Sequence, residues 1–540
     1  MRDLWYKDAV IYCLDVDRFQ DSNGDGVGDF HGLKDRLSYV AGLGFTAVWL
    51  LPFYPTPDRD NGYDVKDYYS VDPALGTLGD FVEFIHLARE RGLRVIVDLV
   101  VNHTSRDHPW FQAARSDPKS PYRDYYVWSK TKPDDAHEGV IFPGVQDTVW
   151  TYDRKAGEYY LHRFYPHQPD LNVSNPKVRD EIERIMGFWL ALGVSGFRID
   201  AAPFVVEMKG VDAEGVRDPL EFLADFRSFL SWRRGDAIML AEANLPPHEM
   251  LDYFADDKLQ MGFNFILNQH LFLALAREQA APLIEGLLTP PPMPENSQWA
   301  TFLRNHDELD LGRLSESQRA DTFAAFAPDP SMQLYDRGIR RRLAPMLGGD
   351  QQRLKMAYAL MLSLPGTPVV NYGEEIGMGD DLSLNERDAV RTPMQWSADE
   401  NAGFSTARAG DLISPIVSKG DFDYCKVNVA AQRQNPDSLL NWMERAIRVR
   451  KENAEFGWGS VDIVETGAPA VFGHRLERDG GVVLAVHNLS DRQVDVKLDV
   501  SEYEGRRLVD LIDHSEREPV RGQRHELELG PYGFHWFRVA

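Results

Sequence analysis

Eight short apolar runs recur along the chain and alternate with stretches that have a helical pattern. Intervening segments such as 78–91 and 178–192 carry apolar residues at spacings of three and four, which is typical of amphipathic helices. This alternation predicts a parallel sheet, and eight units predict the α/β class as a closed (β/α)8 TIM barrel. An open doubly wound sheet is the alternative. The runs are 10–19, 47–51, 94–101, 196–199, 237–240, 262–266, 299–303 and 368–372.

Three regions do not fit this repeating unit. Residues 104–172, after the third strand, are rich in Asp, Pro and Tyr and predict an excursion domain over the barrel mouth. Residues 457–540 alternate short strands with turns such as Asp479-Gly480, which predicts an antiparallel β-sandwich. Residues 309–351 are basic, are predicted to be helical around 337–342, and are interpreted as a lid. The barrel itself is assigned to 1–103 and 173–456.

The charge and the cysteine content exclude several partners. Lys and Arg number 59 against 84 Asp and Glu, and the resulting net charge of −25 repels nucleic acid and anionic membranes. Cys13 and Cys425 are too few for a disulfide framework. The first ten residues are charged, unlike a secretion signal, and no apolar run approaches the roughly 20 residues of a membrane span. We therefore expect a cytoplasmic protein of enzyme size.

Acidic residues follow three of the predicted strands directly. Asp200 ends the fourth strand in GFRIDA, Glu242 ends the fifth in AEAN, and Asp307 follows the seventh in RNHDE. Catalytic groups of a (β/α)8 barrel lie at the carboxyl ends of its strands, so these acids are expected to converge. Any one of them alone would more simply be a loop cap or a surface charge. Three acids at strand ends indicate a catalytic site.

Converging carboxylates suit the cleavage of a glycosidic bond with retention of configuration. That reaction needs a carboxylate nucleophile and a protonated acid about 5 to 5.5 Å apart. Arg198 lies on the same face of the strand as Asp200 and would keep it ionised as the nucleophile. Glu242 follows an apolar run, and desolvation there favours a protonated general acid. Asp307 would bind sugar hydroxyls and stabilise the developing positive charge.

Two histidines and one loop are further candidates for binding the sugar. His103 ends the third strand in DLVVNH, and His306 precedes Asp307, so either imidazole could hydrogen-bond a sugar hydroxyl. The NGYD loop after the second strand places Tyr63 and Asp64 where a ring can stack on the sugar and a carboxylate can accept from hydroxyls. A structural role is the alternative for each histidine.

The loop DSNGDGVGD predicts a site for a hard cation. Oxygen donors alternate along it and Gly26 permits the sharp turn, as in the first half of an EF-hand loop. Gly32 stands where a complete EF-hand has Glu, so a polar turn is the alternative. The predicted ion is a structural calcium, with magnesium as the second choice. The predicted ligands are Asp21, Asn23, Asp25, the Val27 carbonyl and Asp29.

Taken in order, DLVVNH, GFRIDA, AEAN and RNHDE resemble the four sequence regions of the α-amylase family, glycoside hydrolase family 13. The resemblance implies that Asp200 is the nucleophile, Glu242 the acid/base and Asp307 the transition-state stabiliser. It also implies substrate binding by Arg198, His103 and His306.

QPDLN, at 168–172, is similar to a fifth region found in members of the family that act on small α-glucosides. In that subgroup, the resemblance implies that Asp64 and Arg391 of RTPMQW close the pocket around the terminal glucose, and that Gln168 belongs to the substrate-binding set.

From WYKDAVIY to SLLNWM the chain further resembles family members that isomerise maltose and trehalose. This implies a small α-linked disaccharide as substrate, a covalent glucosyl-aspartate intermediate and glucosyl transfer inside a closed pocket, without an organic cofactor. Asn102, Asp170 and Glu207 match positions that hold a second calcium in such members. A homo-oligomer is compatible with the resemblance.

Three other functions stay open at this point. If water reaches the intermediate before the freed sugar does, the same residues make an α-glucosidase that hydrolyses maltose, sucrose, trehalose or isomalto-oligosaccharides. An inactive carbohydrate-binding barrel would be free to lose an acid, whereas all three are present. A secreted endo-acting amylase conflicts with the expected lack of a signal peptide and with the predicted pocket-closing pair.

Overall fold

The structure is a computed structural model that describes residues 3–205, 220–255, 258–517, 520 and 524–540. Eight parallel strands of this part of the chain close into a barrel in which each strand pairs with its neighbours along the chain and the last pairs with the first. This confirms the predicted (β/α)8 barrel and excludes the open sheet. The barrel strands are Ile11–Leu14, Ala47–Leu50, Arg94–Leu99, Gly196–Ile199, Ile238–Ala241, Met261–Phe263, Gln298–Phe302 and Thr367–Asn371.

Two barrel strands end earlier than the apolar runs suggest. The first run continues past Leu14, but Val16–Arg18 form a 3-10 turn. The sixth strand ends at Phe263, because the Asn264 side chain accepts a hydrogen bond from the Leu267 backbone and starts a helix. Apolar residues thus continue into the next element in both places, and composition does not reveal the boundary.

Side chains on the two faces of each strand belong to different cores. Inward residues such as Ile11, Trp49, Leu240 and Phe302 fill the barrel interior in one cluster. The alternating outward residues, such as Tyr12, pack against the surrounding helices in a second, larger cluster. The inside of the barrel is therefore filled with side chains, and space for a ligand exists at its mouth.

Helices of the barrel layer begin and end at residues suited to those positions. Thr77 and Asp80 form a reciprocal capping box at the start of Leu78–Glu90. Asn175 caps Pro176–Leu192, which ends at Gly193 in the left-handed conformation (φ 108°). The α-helices of the described residues are Phe30–Gly42, Leu78–Glu90, Pro109–Ser116, Pro176–Leu192, Ala202–Val205, Glu221–Arg233, Pro247–Phe254, Phe265–Arg277, Ala281–Leu288, Glu316–Phe326, Leu343–Met346, Gln351–Ser363, Val429–Gln434, Leu439–Glu452 and Glu455–Trp458.

The segment between the third and fourth barrel strands carries its own small sheet. Strands Trp128–Ser129, Trp150–Asp153 and Glu158–Leu161 pair antiparallel. The helix Pro109–Ser116 packs on this sheet through Phe111, whose ring stacks on Trp128 with 5.5 Å between the centroids. Isolated bridges join it to the chain that leaves the third strand. These contacts hold the insert at the carboxyl end of the barrel.

The predicted helix around 337–342 is wrong. Gly338–Ile339 is a short strand that pairs with Leu309–Asp310 on one side and Gln333–Leu334 on the other. Tyr335 and Asp336, immediately before it, adopt left-handed conformations that a helix excludes (φ 55° and 59°). The arginines that follow bind backbone carbonyls and carboxylates instead of lying on a helix face.

Two antiparallel sheets follow the barrel at the carboxyl end of the chain. Asp479 and Gly480 both have positive φ, as a tight two-residue hairpin requires, and the turn therefore lies where the sequence predicts it. Apolar residues from both sheets form one core. One sheet consists of Ser460–Ile463, Val471–Arg478, Gly481–Asn488, Phe534–Val539 and Leu508–Asp510, and the other of Val494–Asp499 and Arg524–Leu529.

Within the described part of the chain, no helix combines the length and the apolar character needed to cross a bilayer. Cys13 is buried and Cys425 is exposed, and both are free thiols.

Candidate active site

A cavity of about 430 Å³ opens at the carboxyl ends of the barrel strands. Asp200, Glu242 and Asp307 all line it, so the structure brings the three predicted acids together. Of the predicted sugar-binding residues, Tyr63 and His103 also line the cavity. The volume matches a small ligand rather than a long polymer lying along an open groove.

Arg198 is the centre of the charge arrangement. Its Nη1 lies 2.7 Å from both Asp98 Oδ1 and Asp200 Oδ1, and its Nη2 lies 2.7 Å from Glu242 Oε2. The guanidinium is almost fully buried, so its three contacts are made in a medium that screens charge weakly. Arg198 therefore orients both predicted reacting carboxylates from beneath the cavity floor.

The contact between Arg198 and Asp200 agrees with the sequence interpretation, but the protonation argument needs correction. Burial raises the pKa of Asp200 above its usual range, although Arg198 opposes this shift. The physical reason is that burial outweighs the single guanidinium, which Asp200 shares with Asp98 and Glu242. Asp200 is the ionised partner only above its raised pKa.

Glu242 has the environment of a proton donor. Burial raises its pKa to about 7; the charges of Asp200 and Asp307 add to this effect, and Arg198 opposes it. The Ala201 backbone N–H donates to Glu242 Oε2 at 3.2 Å. Ala201 has φ 48°, a left-handed conformation that is costly for a residue with a Cβ. This strained residue fixes the carboxyl group of Glu242 next to Asp200.

Asp307 has the opposite electrostatic environment. Burial alone would favour its acid form, but the guanidinium groups of Arg387 and Arg391 hold the pKa of Asp307 well below its usual range. Arg391 Nη2 lies 2.6 Å and Arg387 Nη1 2.9 Å from Asp307 Oδ1. Arg304 also donates to the Asp307 backbone carbonyl at 2.6 Å. Asp307 is thus a fixed negative charge at the cavity surface.

Two of the predicted binding residues lie behind the cavity wall. Burial lowers the pKa of His306 to about 3, so its imidazole is neutral, and Nε2 lies 2.8 Å from the Tyr63 hydroxyl. Gln168 is fully buried and donates from Nε2 to Asp60 Oδ2 at 2.8 Å. His103 faces the cavity, and burial lowers its pKa to about 4.

The structure does not bring Asp64 to the cavity, so the predicted pair of Asp64 and Arg391 is wrong. Asp64 is fully buried, and its Oδ1 accepts from the Thr56 hydroxyl at 2.8 Å. Asp60 lines the cavity instead and lies 3.3 Å from Arg387 Nη2. Both acids belong to the stretch DNGYD, and across the turn between them one side chain is buried in the loop while the other lies at the cavity. The motif therefore identified the right loop and the wrong carboxylate.

Several functional residues had no signal in the sequence. Asp98 occurs within an apolar strand, where the sequence gives no sign of a functional role. In the structure it contacts Arg198, and burial raises its pKa to about 7. The aromatic walls come from the insert and from the helix after Asp200, where no motif marks them. The cavity residues that the sequence interpretation missed are Asp60, Ile141, Phe142, Phe164, Ala201, Pro203, Phe204, Asn244, Leu245, Phe265, Asn305, Glu308, Asp310, Gly312, Arg313, Arg337 and Arg387.

The predicted cation loop is held by side chains that accept from backbone N–H groups. Asp21 accepts from the N–H of Asn23 and Gly24, and Asp29 caps the helix Phe30–Gly42 through the N–H of Gly32. Asn23 and Asp25 each accept from the N–H two residues ahead. No group of three or more His, Cys, Asp or Glu arranged for a metal occurs among the described residues. Calcium at this loop stays a prediction.

Of the three residues predicted for a second calcium, the structure places two side by side. Asn102 Nδ2 lies 3.3 Å from Asp170 Oδ1, and both side chains are buried. Asp170 Oδ1 also accepts from the Arg163 backbone N–H at 2.9 Å. Glu207 lies outside the described residues.

Comparison with known families decides the family of the chain. A model described as alpha amylase, catalytic domain, matches residues 12–325 and 337–459. The chain belongs to the α-amylase family. A second model, of a sucrose hydrolase-like C-terminal domain, matches residues 480–538.

Relatives with curated names are similar over the whole chain. A trehalose synthase from Pimelobacter sp. (strain R48) is 43% identical over 99% of this chain and 96% of its own length. A trehalose synthase from Thermus thermophilus is 46% identical over 100% of this chain, which spans only 56% of that protein. An oligo-1,6-glucosidase from Parageobacillus thermoglucosidasius is 28% identical over the full length of both chains.

Solved structures of the family superpose well. The trehalulose synthase MutB from Pseudomonas mesoacidophila MX-45 has a TM-score of 0.78 at 26% identity, covering 99% of each chain. The α-amylase from H. orenii has a TM-score of 0.78 at 27% identity, covering 99% of this chain and 100% of its own. Both solved structures are similar to this chain from the barrel through the C-terminal sheets.

Proposed function

We propose that this protein interconverts maltose and trehalose by transferring a glucosyl group within one closed pocket, with retention of the α configuration. The observation that carries the proposal is the pair of opposed carboxyl environments in one cavity: the pKa of Glu242 is raised to about 7, and that of Asp307 is held far below its usual range. Such a pair supplies an acid and a fixed charge together. The similarity of 41–46% to trehalose synthases supports the choice of substrate.

The first step is the cleavage of maltose. Glu242 gives its proton to the glycosidic oxygen while an Asp200 carboxylate oxygen attacks the anomeric carbon from the opposite face. The bond from carbon 1 to the glycosidic oxygen breaks as the bond from carbon 1 to Asp200 forms. The products are a glucosyl ester on Asp200, a free glucose and an ionised Glu242.

The second step reverses the first with a different hydroxyl. Free glucose turns in the pocket, and its anomeric hydroxyl attacks carbon 1 of the ester while Glu242 takes up the hydroxyl proton. Asp200 leaves as a carboxylate, and the product is trehalose. Two displacements at the same carbon retain the α configuration.

Asp307 stabilises the transition state of each step. Its charge faces the anomeric region, where the oxocarbenium-like transition state is positive, and it is fixed by Arg387 and Arg391 before the substrate arrives. Arg198 holds Asp200 and Glu242 in reach of the same carbon. The reaction carried out by Asp200, Glu242, Asp307 and Arg198 needs no organic cofactor.

The cavity walls suit a neutral disaccharide. Phe142, Phe164 and Phe204 offer apolar rings to the faces of sugar rings, while acidic groups accept from hydroxyls. The negative lining and the net charge of −25 disfavour phosphorylated sugars. Substrates of this chemistry are small α-linked glucosides.

A structural calcium in the loop 21–29 is part of the proposal. Its carboxylate and amide oxygens are hard donors of the kind that calcium prefers, and Asp25 Oδ1 accepts one N–H, that of Val27, which leaves it a further lone pair. Bound there, calcium would hold this loop against the 403–412 segment, which already contacts it through Ser405 and Asp21.

The test is to follow the anomeric proton signals of maltose, trehalose and sucrose in separate NMR experiments with the purified protein. Formation of trehalose from maltose, with little free glucose, is the expected result. Rapid release of α-glucose without trehalose would overturn the proposal in favour of an α-glucosidase. Asp200→Asn serves as the inactive control, and turnover equal to that of the wild type in this variant would overturn the assignment of the nucleophile.

A further inference from the structure

Three separate segments meet behind the wall of the cavity through one carboxylate. Glu386 Oε2 accepts from the Tyr165 hydroxyl at 2.7 Å and from the Tyr335 hydroxyl at 3.0 Å. Tyr165 comes from the insert after the third barrel strand, Tyr335 from the segment after the seventh, and Glu386 from the loop after the eighth. We call Tyr165, Tyr335 and Glu386 the tyrosine latch. None of the three is among the described residues that line the cavity.

Backbone strain is concentrated at this latch. Tyr335, Asp336 and Glu386 have φ of 55°, 59° and 40°, although none is glycine. Such conformations are unfavourable for residues with a Cβ and persist only where surrounding contacts enforce them. Two of the three strained residues are the ones that share the hydrogen bonds. Surrounding contacts therefore enforce the positions of the latch groups.

Phe142 connects the latch to the ligand space. Its ring centre lies 4.8 Å from that of Tyr165 and 4.8 Å from that of Tyr335, and Phe142 also lines the cavity. Arg337 Nη1 donates to the neighbouring Ile141 carbonyl at 3.1 Å. The insert is thus held against the segment 335–337 by an aromatic stack and by polar contacts at once.

The latch is also continuous with the reacting groups. Arg387 follows Glu386 in the chain, and its guanidinium lies 5.2 Å from the centre of the Phe142 ring. The same guanidinium contacts Asp307 and Asp60. A displacement of Glu386 would therefore reach both the wall at Phe142 and the charge at Asp307.

We propose that the tyrosine latch determines which nucleophile resolves the glucosyl intermediate, the freed glucose or water. This inference rests on the proposed isomerisation. With the latch formed, Phe142 stays in place and the freed glucose is retained next to the Asp200 ester. With the latch broken, water enters, its oxygen bonds to carbon 1, the ester bond to Asp200 breaks, and Glu242 takes the proton. The result is hydrolysis by the same acids.

The decisive variant is the double substitution Tyr165→Phe with Tyr335→Phe. It removes both hydroxyls from Glu386 and keeps the rings that pack on Phe142. The matched control is Tyr152→Phe, also in the insert, where the tyrosine is half exposed and its ring packs on Tyr159. The measurement is the ratio of glucose to trehalose formed from maltose by NMR, with thermal unfolding of each protein as a check on folding.

We expect the ratio to rise at least about tenfold in the double variant, because it removes two hydrogen bonds to a charged carboxylate and the loss of even one corresponds to about that factor, with maltose consumption retained. The control keeps the wild-type ratio. An unchanged ratio in a folded, active double variant overturns the latch inference. A rise in the control as well as in the double variant also overturns it, because any loss of a tyrosine hydroxyl in the insert would then suffice.

A second measurement separates the two proposals. If the wild type forms glucose and no trehalose, the isomerisation proposal fails, and the latch is judged by amide hydrogen exchange of segments 138–146 and 333–340. Faster exchange in both segments of the double variant supports the latch as the element that closes the cavity. Exchange equal to that of the wild type overturns it. Glu386→Ala, which removes the shared acceptor, should reproduce the result of the double variant.

Discussion

Arg198 Nη2 lies 2.7 Å from Glu242 Oε2, so the group that must donate a proton is in direct contact with a cation. Such a contact by itself favours the ionised carboxylate, but burial and two neighbouring acids outweigh it and keep the pKa at about 7. Glu242 therefore keeps its proton up to a pH of about 7.

The pH dependence of turnover follows from these directions. Glu242 must be protonated and Asp200 ionised, so kcat/KM should rise as Asp200 loses its proton and fall as Glu242 loses its own near pH 7. A profile of kcat/KM against pH measures both limbs. In Glu242→Gln we expect a loss of about 10²- to 10⁴-fold and no falling limb near pH 7. Survival of that limb would assign it to another group, such as Glu308.

Substitutions of Asp60 and Asp64 should affect different properties, substrate binding for Asp60 and the free energy of unfolding for Asp64. Asp60→Asn removes a charge that contacts Arg387 at the cavity, so KM for maltose should rise while the unfolding free energy changes little. Asp64→Ala leaves the Thr56 hydroxyl and the half-buried N–H groups of Arg59 and Asp60 without their acceptor, which costs about 1 kcal/mol. Urea unfolding and steady-state kinetics on both variants check this. The reverse pattern would restore Asp64 as the binding residue.

Removal of calcium should distinguish residues of the loop 21–29 that bind the ion from residues that stabilise the fold. Asp25 is exposed, and its side chain accepts hydrogen bonds from Asn23 and Val27 within the loop, so Asp25→Ala should lower calcium affinity and leave the metal-free protein as stable as the wild type. Asp29→Ala should destabilise the protein with and without calcium, by about 1 kcal/mol, because it removes a helix cap. Thermal unfolding in calcium and in chelator provides the comparison. No difference between the two conditions in the wild type would reject the site.

His474 should make the protein less stable in mild acid. The ring is fully buried between the barrel and the C-terminal sheets, and burial lowers its pKa from about 6.5 to about 4. The unfolded chain therefore binds a proton that the folded one refuses, and stability present above pH 6.5 is lost as pH falls towards 4, up to about 3 kcal/mol. His474→Gln, which keeps a donor for the Ser363 carbonyl, should flatten this loss in thermal unfolding measured from pH 7 to 4. An unchanged slope would place the sensitivity elsewhere, with buried His487 as the next residue to test.

The barrel and its acids were predictable because strand ends carry their own signal. An apolar run that stops at Asp200 or Glu242 places the carboxylate at the mouth whatever the loops do. Asp60 and Asp64 show where this reasoning stops, since the turn at Asn61 and Gly62, both with positive φ, decides which of two nearby acids faces the cavity. Tyr335 shows the same limit, because its left-handed backbone, imposed by tertiary contacts, prevents the helix that the basic composition suggested.

The reacting acids lie at the ends of barrel strands, whereas the aromatic walls of the cavity come from the insert and from the helix after Asp200, and the segments around 335 and 386 support the insert from behind. Mutation can therefore change the walls without changing the reacting acids. Substitutions in the insert and in the segments around 335 and 386 can shift the products from disaccharide rearrangement to sugar release, while the acids that break the glycosidic bond are unchanged. Laboratory evolution aimed at a new product would do best to randomise those stretches and to leave the strand ends untouched.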